Sequence, residues 1–95
     1  PALVKRGGLS VGISTGGSSP TAAVWLKEQI AGLLPDRLED ILSWLEQQRP
    51  ALKYLYPREE DRSALFQRLF AACMSADRPL TDEELQAMLK ERESL

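Results

Sequence analysis

Residues 14–20, Ser-Thr-Gly-Gly-Ser-Ser-Pro, constrain most strongly how this chain can fold. An alternating apolar run precedes them and a long amphipathic pattern follows, which predicts a strand that turns sharply into a helix. Pro20 suits the first helical position, where its missing N–H needs no partner, and Ser19 suits the N-cap. Gly16 and Gly17 permit positive φ or a close backbone approach. The segment therefore predicts a turn whose hydroxyls and free N–H groups can bind an anion.

The same residues also fit a purely structural turn, because Gly, Ser, Thr and Pro are common wherever a strand leads into a helix. The segment is not a P-loop, since no Gly-Lys-Ser/Thr follows the glycines. The chain has 95 residues and a net charge of −2, so we expect one small domain, or part of a larger protein, without a general electrostatic drive to bind nucleic acid. No apolar run is long enough to span a membrane, and no signal peptide is visible.

The chain has one cysteine and no histidine. An internal disulfide, a Cys/His zinc site and a histidine-based catalytic triad are therefore excluded. Cys73 lies in an apolar helical stretch, where we expect a small buried side chain rather than a nucleophile. This cysteine usage predicts a reducing, cytoplasmic setting. Because the chain begins at Pro1 without Met, we expect it to be a trimmed piece of a longer protein.

The N-terminal residues predict a β-hairpin. Residues 2–6 form a possible short strand, Gly7-Gly8 suits a two-residue turn that needs positive φ, and the apolar residues at 9, 11 and 13 alternate with small ones. An isolated hairpin is only marginally stable in water, and its open edges need a cover. We therefore expect the hairpin to pair with another chain or with a further domain, and this is the first argument for a homodimer.

Two amphipathic helices are predicted directly after the turn. The first spans residues 20–34 and places an apolar stripe on one side, with Trp25 expected in the core or in an interface. The second is expected to be capped by Asp36. Pro50 leaves two alternatives open: the helix ends near Gln48, or it bends at Pro50 and continues.

Two further helices complete the predicted fold. The third begins at residues 59–61, whose acidic side chains suit a helix start and are not expected to bind a metal. The fourth begins with a capping box of Thr81 and Glu84, flanked by Leu80 and Leu85 as a hydrophobic staple. The predicted class is α+β, with an N-terminal hairpin followed by about four helices in a small bundle. No catalytic, cofactor-binding or metal-binding set of residues can be assembled in this chain.

A family resemblance rests on residues 9–20, Leu-Ser-Val-Gly-Ile-Ser-Thr-Gly-Gly-Ser-Ser-Pro, followed by Leu-Lys-Glu-Gln-Ile at 26–30 and Leu-Leu-Pro at 33–35. This pattern resembles the sirohaem synthase family, whose members are precorrin-2 dehydrogenase/sirohydrochlorin ferrochelatases. It is similar to the region that follows their N-terminal NAD-binding domain. The similarity is clearest through Pro35 and continues more loosely to Phe70.

The resemblance implies that the full enzyme oxidises precorrin-2 to sirohydrochlorin with NAD and then inserts ferrous iron as a substrate. The glycine fingerprint for NAD and the catalytic aspartate belong to the missing domain, so this chain alone is expected to be inactive and to bind no cofactor or metal. The resemblance further implies an intertwined homodimer, with a dimerisation domain at 1–34 and a helical domain at 35–95.

The tetrapyrrole substrate carries many carboxylates, so its site should offer N–H groups, hydroxyls and cations. The resemblance thus implies an anion-binding set at the turn together with a lysine of the first helix: Ser14, Thr15, Gly16, Gly17, Ser18, Ser19 and Lys27. Lys5 and Arg6 are further candidate cations. One position departs from the family pattern, because Val24 stands where the family often has arginine, so a basic contact is missing there.

Two alternatives stay open on sequence grounds. Sugar isomerase domains carry a similar turn before a helix, so the chain could be a phosphosugar-binding module, although that fold needs several parallel strands. A helical interaction domain without a ligand would explain the missing catalytic groups. In every case the expected partners are proteins or small molecules, not nucleic acid or a membrane.

Overall fold

A computed structural model describes residues 2–93 of the chain, and the side chains through residue 91. Pro1, the first residue of the predicted dimerisation domain, lies outside the described residues. The same holds for residues 94 and 95, the last two of the predicted helical domain. Two strands are followed by four helices: β1 (Ala2–Arg6), β2 (Leu9–Ile13), α1 (Pro20–Leu33), α2 (Leu38–Leu55), α3 (Glu59–Ala76) and α4 (Asp82–Glu93). The predicted α+β class is confirmed.

The chain divides into two compact units, Pro1–Glu39 and Asp40–Leu95. The first unit holds the hairpin and α1, and its boundary falls inside the first turn of α2. The sequence-based boundary between residues 34 and 35 lies five residues earlier. The second unit contains the rest of α2 together with α3 and α4.

The hairpin is antiparallel, and its register pairs Val4 with Val11 and Lys5 with Ser10. Val4 is buried, and its cross-strand neighbour Val11 is half-buried on the same face, whereas Lys5 and Ser10 are exposed on the other. Within residues 2–93 this two-stranded antiparallel sheet is the one sheet present. The described part of the chain therefore lacks the parallel strands that a phosphosugar-binding fold needs.

The hairpin turn is fixed by Gly7 and by an arginine beside it. Gly7 has φ 58°, and a Cβ atom there would lie 2.9 Å from Cγ of Glu39. The guanidinium of Arg6 forms a salt bridge with Glu39 and donates to the backbone oxygens of Pro35 at 2.9 Å and Asp36 at 3.1 Å. Arg6 thereby ties the hairpin to the turn that follows α1.

Helix α1 is less buried than its apolar stripe predicts. Ala23 is buried, but Leu33 is 80% exposed and Trp25 is 58% exposed. The expectation that Trp25 lies in the core is therefore wrong within this chain, and a role in an interface stays a prediction. The described part of the first unit buries only three apolar side chains, those of Val4, Ala23 and Leu38.

The second unit has a continuous apolar core. Ile41 and Leu52 of α2 pack with residues of α3 and α4, in the positions expected from their three- and four-residue spacing. The buried cluster consists of Ile41, Leu52, Leu65, Leu69, Cys73, Leu80, Leu85 and Leu89. Each of the three helices of this unit therefore contributes one apolar stripe to a common core.

Pro50 lies inside α2, which continues to Leu55. Of the two alternatives, the continuing helix is correct. Proline has no N–H to donate to the carbonyl of Glu46, which costs about 3 kcal/mol in an ordinary helix interior. The burial of Leu52, which is 2% exposed, offsets that cost because it places one more apolar side chain in the core.

The capping box at the start of α4 is confirmed. The backbone N–H of Glu84 donates to Oγ1 of Thr81 at 3.1 Å, and the N–H of Thr81 donates to Oε1 of Glu84 at 2.8 Å. Leu80 and Leu85 are both buried, as a hydrophobic staple requires. Arg78 adds two hydrogen bonds to the Glu84 carboxylate, and these bonds lower the pKa of Glu84 to about 2.

None of the helices in residues 2–93 combines the length and apolar character that crossing a bilayer requires.

Candidate functional site at the strand-to-helix turn

The turn between β2 and α1 is closed by its own hydroxyl side chains. Ser19 is the N-cap of α1, and its hydroxyl accepts the N–H of Ala22 at 3.0 Å. Pro20 occupies the first helical position. Both assignments agree with the sequence, because a short hydroxyl followed by proline satisfies a helix start.

Thr15 holds the turn together through both functions of its hydroxyl. Its Oγ1 accepts the N–H of Ser19 and donates to the carbonyl oxygen of Ser19, each at 3.1 Å. Its carbonyl oxygen accepts the N–H of Ser18 at 3.1 Å. The Thr15 hydroxyl is therefore already engaged within the turn, where it holds the neighbouring groups in place.

Gly16 and Gly17 have φ values of 64° and 82°, in the region that side-chain-bearing residues rarely adopt. A Cβ atom at either position would meet nothing within 4 Å. The glycines are thus needed for the backbone conformation rather than for close packing inside the chain. They also leave the backbone of the turn open to approach from solvent.

Several hydrogen-bond donors of the turn have no acceptor among residues 2–93. The hydroxyl of Ser18 and the backbone N–H of Gly17 form no hydrogen bond within residues 2–93. The hydroxyl of Ser14 accepts the N–H of Gly16 at 3.2 Å and keeps its own proton free to donate. These donors at the start of a helix are the kind of group that binds a carboxylate or phosphate oxygen.

A cleft of about 370 Å³ lies beside this turn. Of the predicted anion-binding residues, Ser14, Thr15 and Gly17 line it. Its other walls are apolar and come from Ala2, Ile13, Pro20, Ala23 and Val24, which sequence reasoning did not assign to a site. The alternation of apolar and small residues in β2 and the three- and four-residue spacing of apolar residues in α1 predict these walls. Each pattern places apolar side chains on one face of its strand or helix.

The predicted cations are not brought to this cleft. Lys27 lies on an exposed part of α1 and does not line the cleft, whereas Val24 does. Val24, which stands where the family resemblance predicts arginine, therefore places an apolar side chain beside the turn. Lys5 is on the exposed face of the hairpin, and the Arg6 guanidinium is engaged by Glu39 and two carbonyls. The turn thus offers neutral donors alone among the groups that line the cleft.

Cys73 is buried in the second unit and is not exposed at the turn. Burial raises the pKa of the Cys73 thiol, and the side chain has no exposed surface, so it suits packing rather than nucleophilic attack, as the sequence predicts. Within residues 2–93 no group of three or more His, Cys, Asp or Glu side chains could hold a metal ion. The free donors at the turn have the chemistry that suits an anionic group.

Comparisons with known proteins match the region that contains the turn, and they agree with the family resemblance seen in the sequence. Residues 6–33 match a family model described as "Sirohaem biosynthesis protein central". The chain is 33% identical to "Siroheme synthase" from Gluconobacter oxydans over 94% of its own length and 20% of that protein. It is 30% identical to "Siroheme synthase 2" from Cronobacter sakazakii over 100% of its own length and 21% of that protein. No solved structure matches the chain significantly.

The similarity to these relatives continues past Phe70, where the resemblance seen in the sequence alone ends. In the Gluconobacter protein the aligned region covers 94 residues, so it passes Phe70 and includes residues of α4. The matched family model covers β2, the turn and α1, which supply every residue that lines the cleft except Ala2 of β1. The chain spans about one fifth of the length of these curated relatives. It is a segment of the sirohaem synthase family.

Proposed function

We propose that this chain forms the dimerisation and tetrapyrrole-site part of a bifunctional sirohaem synthase. The whole enzyme would oxidise precorrin-2 to sirohydrochlorin with NAD and then insert ferrous iron, its second substrate, to give sirohaem. One observation carries the proposal: the segment that matches the sirohaem family model is the same segment that builds the open, donor-rich turn. NAD would be held by a domain outside this chain.

The turn is proposed to bind carboxylates of the tetrapyrrole. The Ser18 hydroxyl, the Gly17 N–H and the Ser14 hydroxyl supply donors that nothing in the described chain accepts. Hydrogen bonds to a charged acceptor contribute about 1.5–3 kcal/mol each, which is enough to orient a substrate. The apolar walls of the cleft, Val24 among them, would contact the hydrocarbon part of the macrocycle.

The first unit is proposed to form a homodimer. It has fewer than about 40 residues, below the size at which a hydrophobic core alone usually stabilises a fold. Large apolar side chains that do not line the cleft are exposed on it: Leu3, Trp25, Leu26 and Leu33. A second copy of the chain would remove these side chains from water and could pair an open edge of the hairpin.

Two further proposals concern activity and location. The isolated chain is proposed to have no dehydrogenase activity, and the whole enzyme is proposed to be cytoplasmic. The first proposal follows from the absence of a dinucleotide glycine fingerprint in the sequence. The second is supported by the single free cysteine, Cys73, which fits a reducing compartment.

A chimeric enzyme tests the proposal. Residues 2–93 would replace the matching segment of the Gluconobacter siroheme synthase, and NAD-dependent turnover of precorrin-2 would be followed by absorbance. We expect the chimera to remain active. In that chimera Ser18→Ala is expected to weaken binding of precorrin-2 by about 1.5–3 kcal/mol, because it removes one free donor to a carboxylate.

Ser10→Ala is the matched control, because Ser10 is another exposed serine, on the solvent face of β2. It should leave the KM for precorrin-2 unchanged. A folded chimera without turnover would contradict the proposed function. Equal KM values for the two serine variants would return the turn to a purely structural role.

A further inference from the structure

An open groove runs between α2 and α3 in the second unit. Two adjoining clefts of about 390 and 450 Å³ form it, and they share Arg49, Arg62 and Phe66. Leu45 lies at one end of its α2 wall and Lys53 at the other. At 1.5 Å per residue, the distance along the helix between these two positions is about 12 Å. This α2–α3 groove is therefore long enough for about two turns of a second helix.

The end of the α2–α3 groove at Leu45 is apolar. Phe70 lines it from α3 and is 40% exposed, while Leu45 is half-buried. Met74 follows Phe70 by four residues on the same face of α3 and is 36% exposed. Large apolar side chains that remain partly exposed side by side are typical of a surface that docks another protein.

The end of the groove at Lys53 is basic, although the chain as a whole carries a net charge of −2. Arg49, Lys53 and Arg62 line this end, with no acidic side chain among the described residues beside them. Neither the Arg49 nor the Lys53 side chain forms an ion pair or a hydrogen bond with a described residue. Glu59 lines the larger cleft from the α3 wall, so the unpaired positive charge lies on the α2 wall.

Arg49 is held in place in the middle of the groove. Its Cζ atom lies 4.6 Å from the centroid of the Phe66 ring, and Phe66 in turn packs against the apolar core. The ring is therefore a support for the guanidinium and not a contact surface for a ligand. The N–H groups at the edge of the guanidinium stay available, and they can donate to a carboxylate in pairs.

We propose that the α2–α3 groove docks an acidic amphipathic helix of a partner protein. Its apolar side chains would contact Leu45 and Phe70, and its carboxylates would pair with Arg49 and Lys53. An apolar end and a basic end along one groove require both kinds of side chain on one face of the ligand, and charge complementarity selects an acidic one. A small anion would leave the apolar end in water.

This docking surface is independent of the sirohaem chemistry, because none of its residues lines the cleft at the turn.

A fluorescein-labelled synthetic helix serves as the probe, with leucines four residues apart on one face and glutamates one turn further along that face. Its fluorescence anisotropy would be followed as the 95-residue chain is added. We expect Arg49→Gln and Phe70→Ala each to weaken binding about tenfold, since one removes a charge-assisted hydrogen bond and the other an apolar contact. A probe with glutamines in place of the glutamates should bind more weakly, and added salt should weaken the acidic probe alone.

Arg58→Gln and Tyr54→Ala are the matched controls. Arg58 is 75% exposed, Tyr54 is 85% exposed, and neither lines the groove. Both variants should leave binding of the probe unchanged. Circular dichroism checks that each variant is folded, and Lys53→Gln, at an exposed side chain, repeats the charge test if Arg49→Gln does not fold.

Four results would overturn the proposal. Absence of binding by the wild-type chain would do so directly. Equal losses in Arg58→Gln and Arg49→Gln would indicate general charge attraction, and full binding by Phe70→Ala would indicate a small-anion site. Self-association of the chain that both Arg49→Gln and Phe70→Ala abolish would make a second copy the occupant. The proposed function is decided separately, by turnover of the chimera.

Discussion

Replacing Trp25 by alanine is expected to separate the proposed homodimer into monomers. Trp25 is 58% exposed on α1, in the unit whose described part buries only three apolar side chains. A large aromatic side chain buries up to roughly 250 Å², so the exposed part of Trp25 offers about 150 Å² for an interface. At roughly 25 cal/mol per Å², covering it would contribute about 3.5 kcal/mol.

The alanine side chain retains part of this area, so the loss per chain is about 2–3 kcal/mol. A two-fold symmetric dimer carries the substitution twice, which brings the total to about 4–6 kcal/mol. Since each 1.4 kcal/mol is about tenfold in affinity, the dimer dissociation constant should rise at least roughly a thousandfold.

Sedimentation equilibrium across a wide concentration range measures this change. The wild-type chain should show twice its mass of 10.6 kDa, and Trp25→Ala should show the monomer mass at the same concentration. Tyr54→Ala is the control, because Tyr54 is a large aromatic side chain that is 85% exposed on the second unit. A monomeric wild-type chain, or equal dissociation constants for wild type and Trp25→Ala, would refute the reasoning.

Two further predictions concern stability. Gly7→Ala should lower the free energy of unfolding by about 1–3 kcal/mol, because φ is 58° there and the new Cβ would meet Glu39; Gly8→Ala, with nothing within 4 Å, should have little effect in the same thermal melts. Glu84→Gln should flatten the acid dependence of stability. Hydrogen bonds from Arg78 and the capping box hold the pKa of Glu84 near 2, below its ordinary 4.5, so wild type should lose stability as the pH falls from about 4.5 to about 2. Urea midpoints above and inside this window test it, and parallel curves for both proteins would contradict it.

The candidate site could be predicted from the sequence only in part. The turn is predictable because Ser19 and Pro20 form a local helix start, in which every hydrogen-bond partner of Ser19 lies within four residues. Two facts could not be predicted: Lys27 does not line the cleft, and Arg6 forms a salt bridge with Glu39. Both depend on how far-apart segments approach, and residue spacing along one element does not contain that information.

Tertiary packing also decided between alternatives that the local pattern left open. Proline rules allow α2 to end before Pro50 or to continue through it, and the burial of Leu52 in the core decides for continuation. The apolar stripe of α1 predicts burial, yet Leu33 remains 80% exposed because the described first unit has too few residues to cover it.

The sequence by itself determined the hairpin, the helix starts and the capping box of Thr81 and Glu84, because each rests on hydrogen bonds and alternation between residues close along the chain. Only the tertiary structure decided which apolar side chains are buried and which cations are free. Burial and ion pairing sum contacts from segments far apart in sequence, so they are settled when those segments pack.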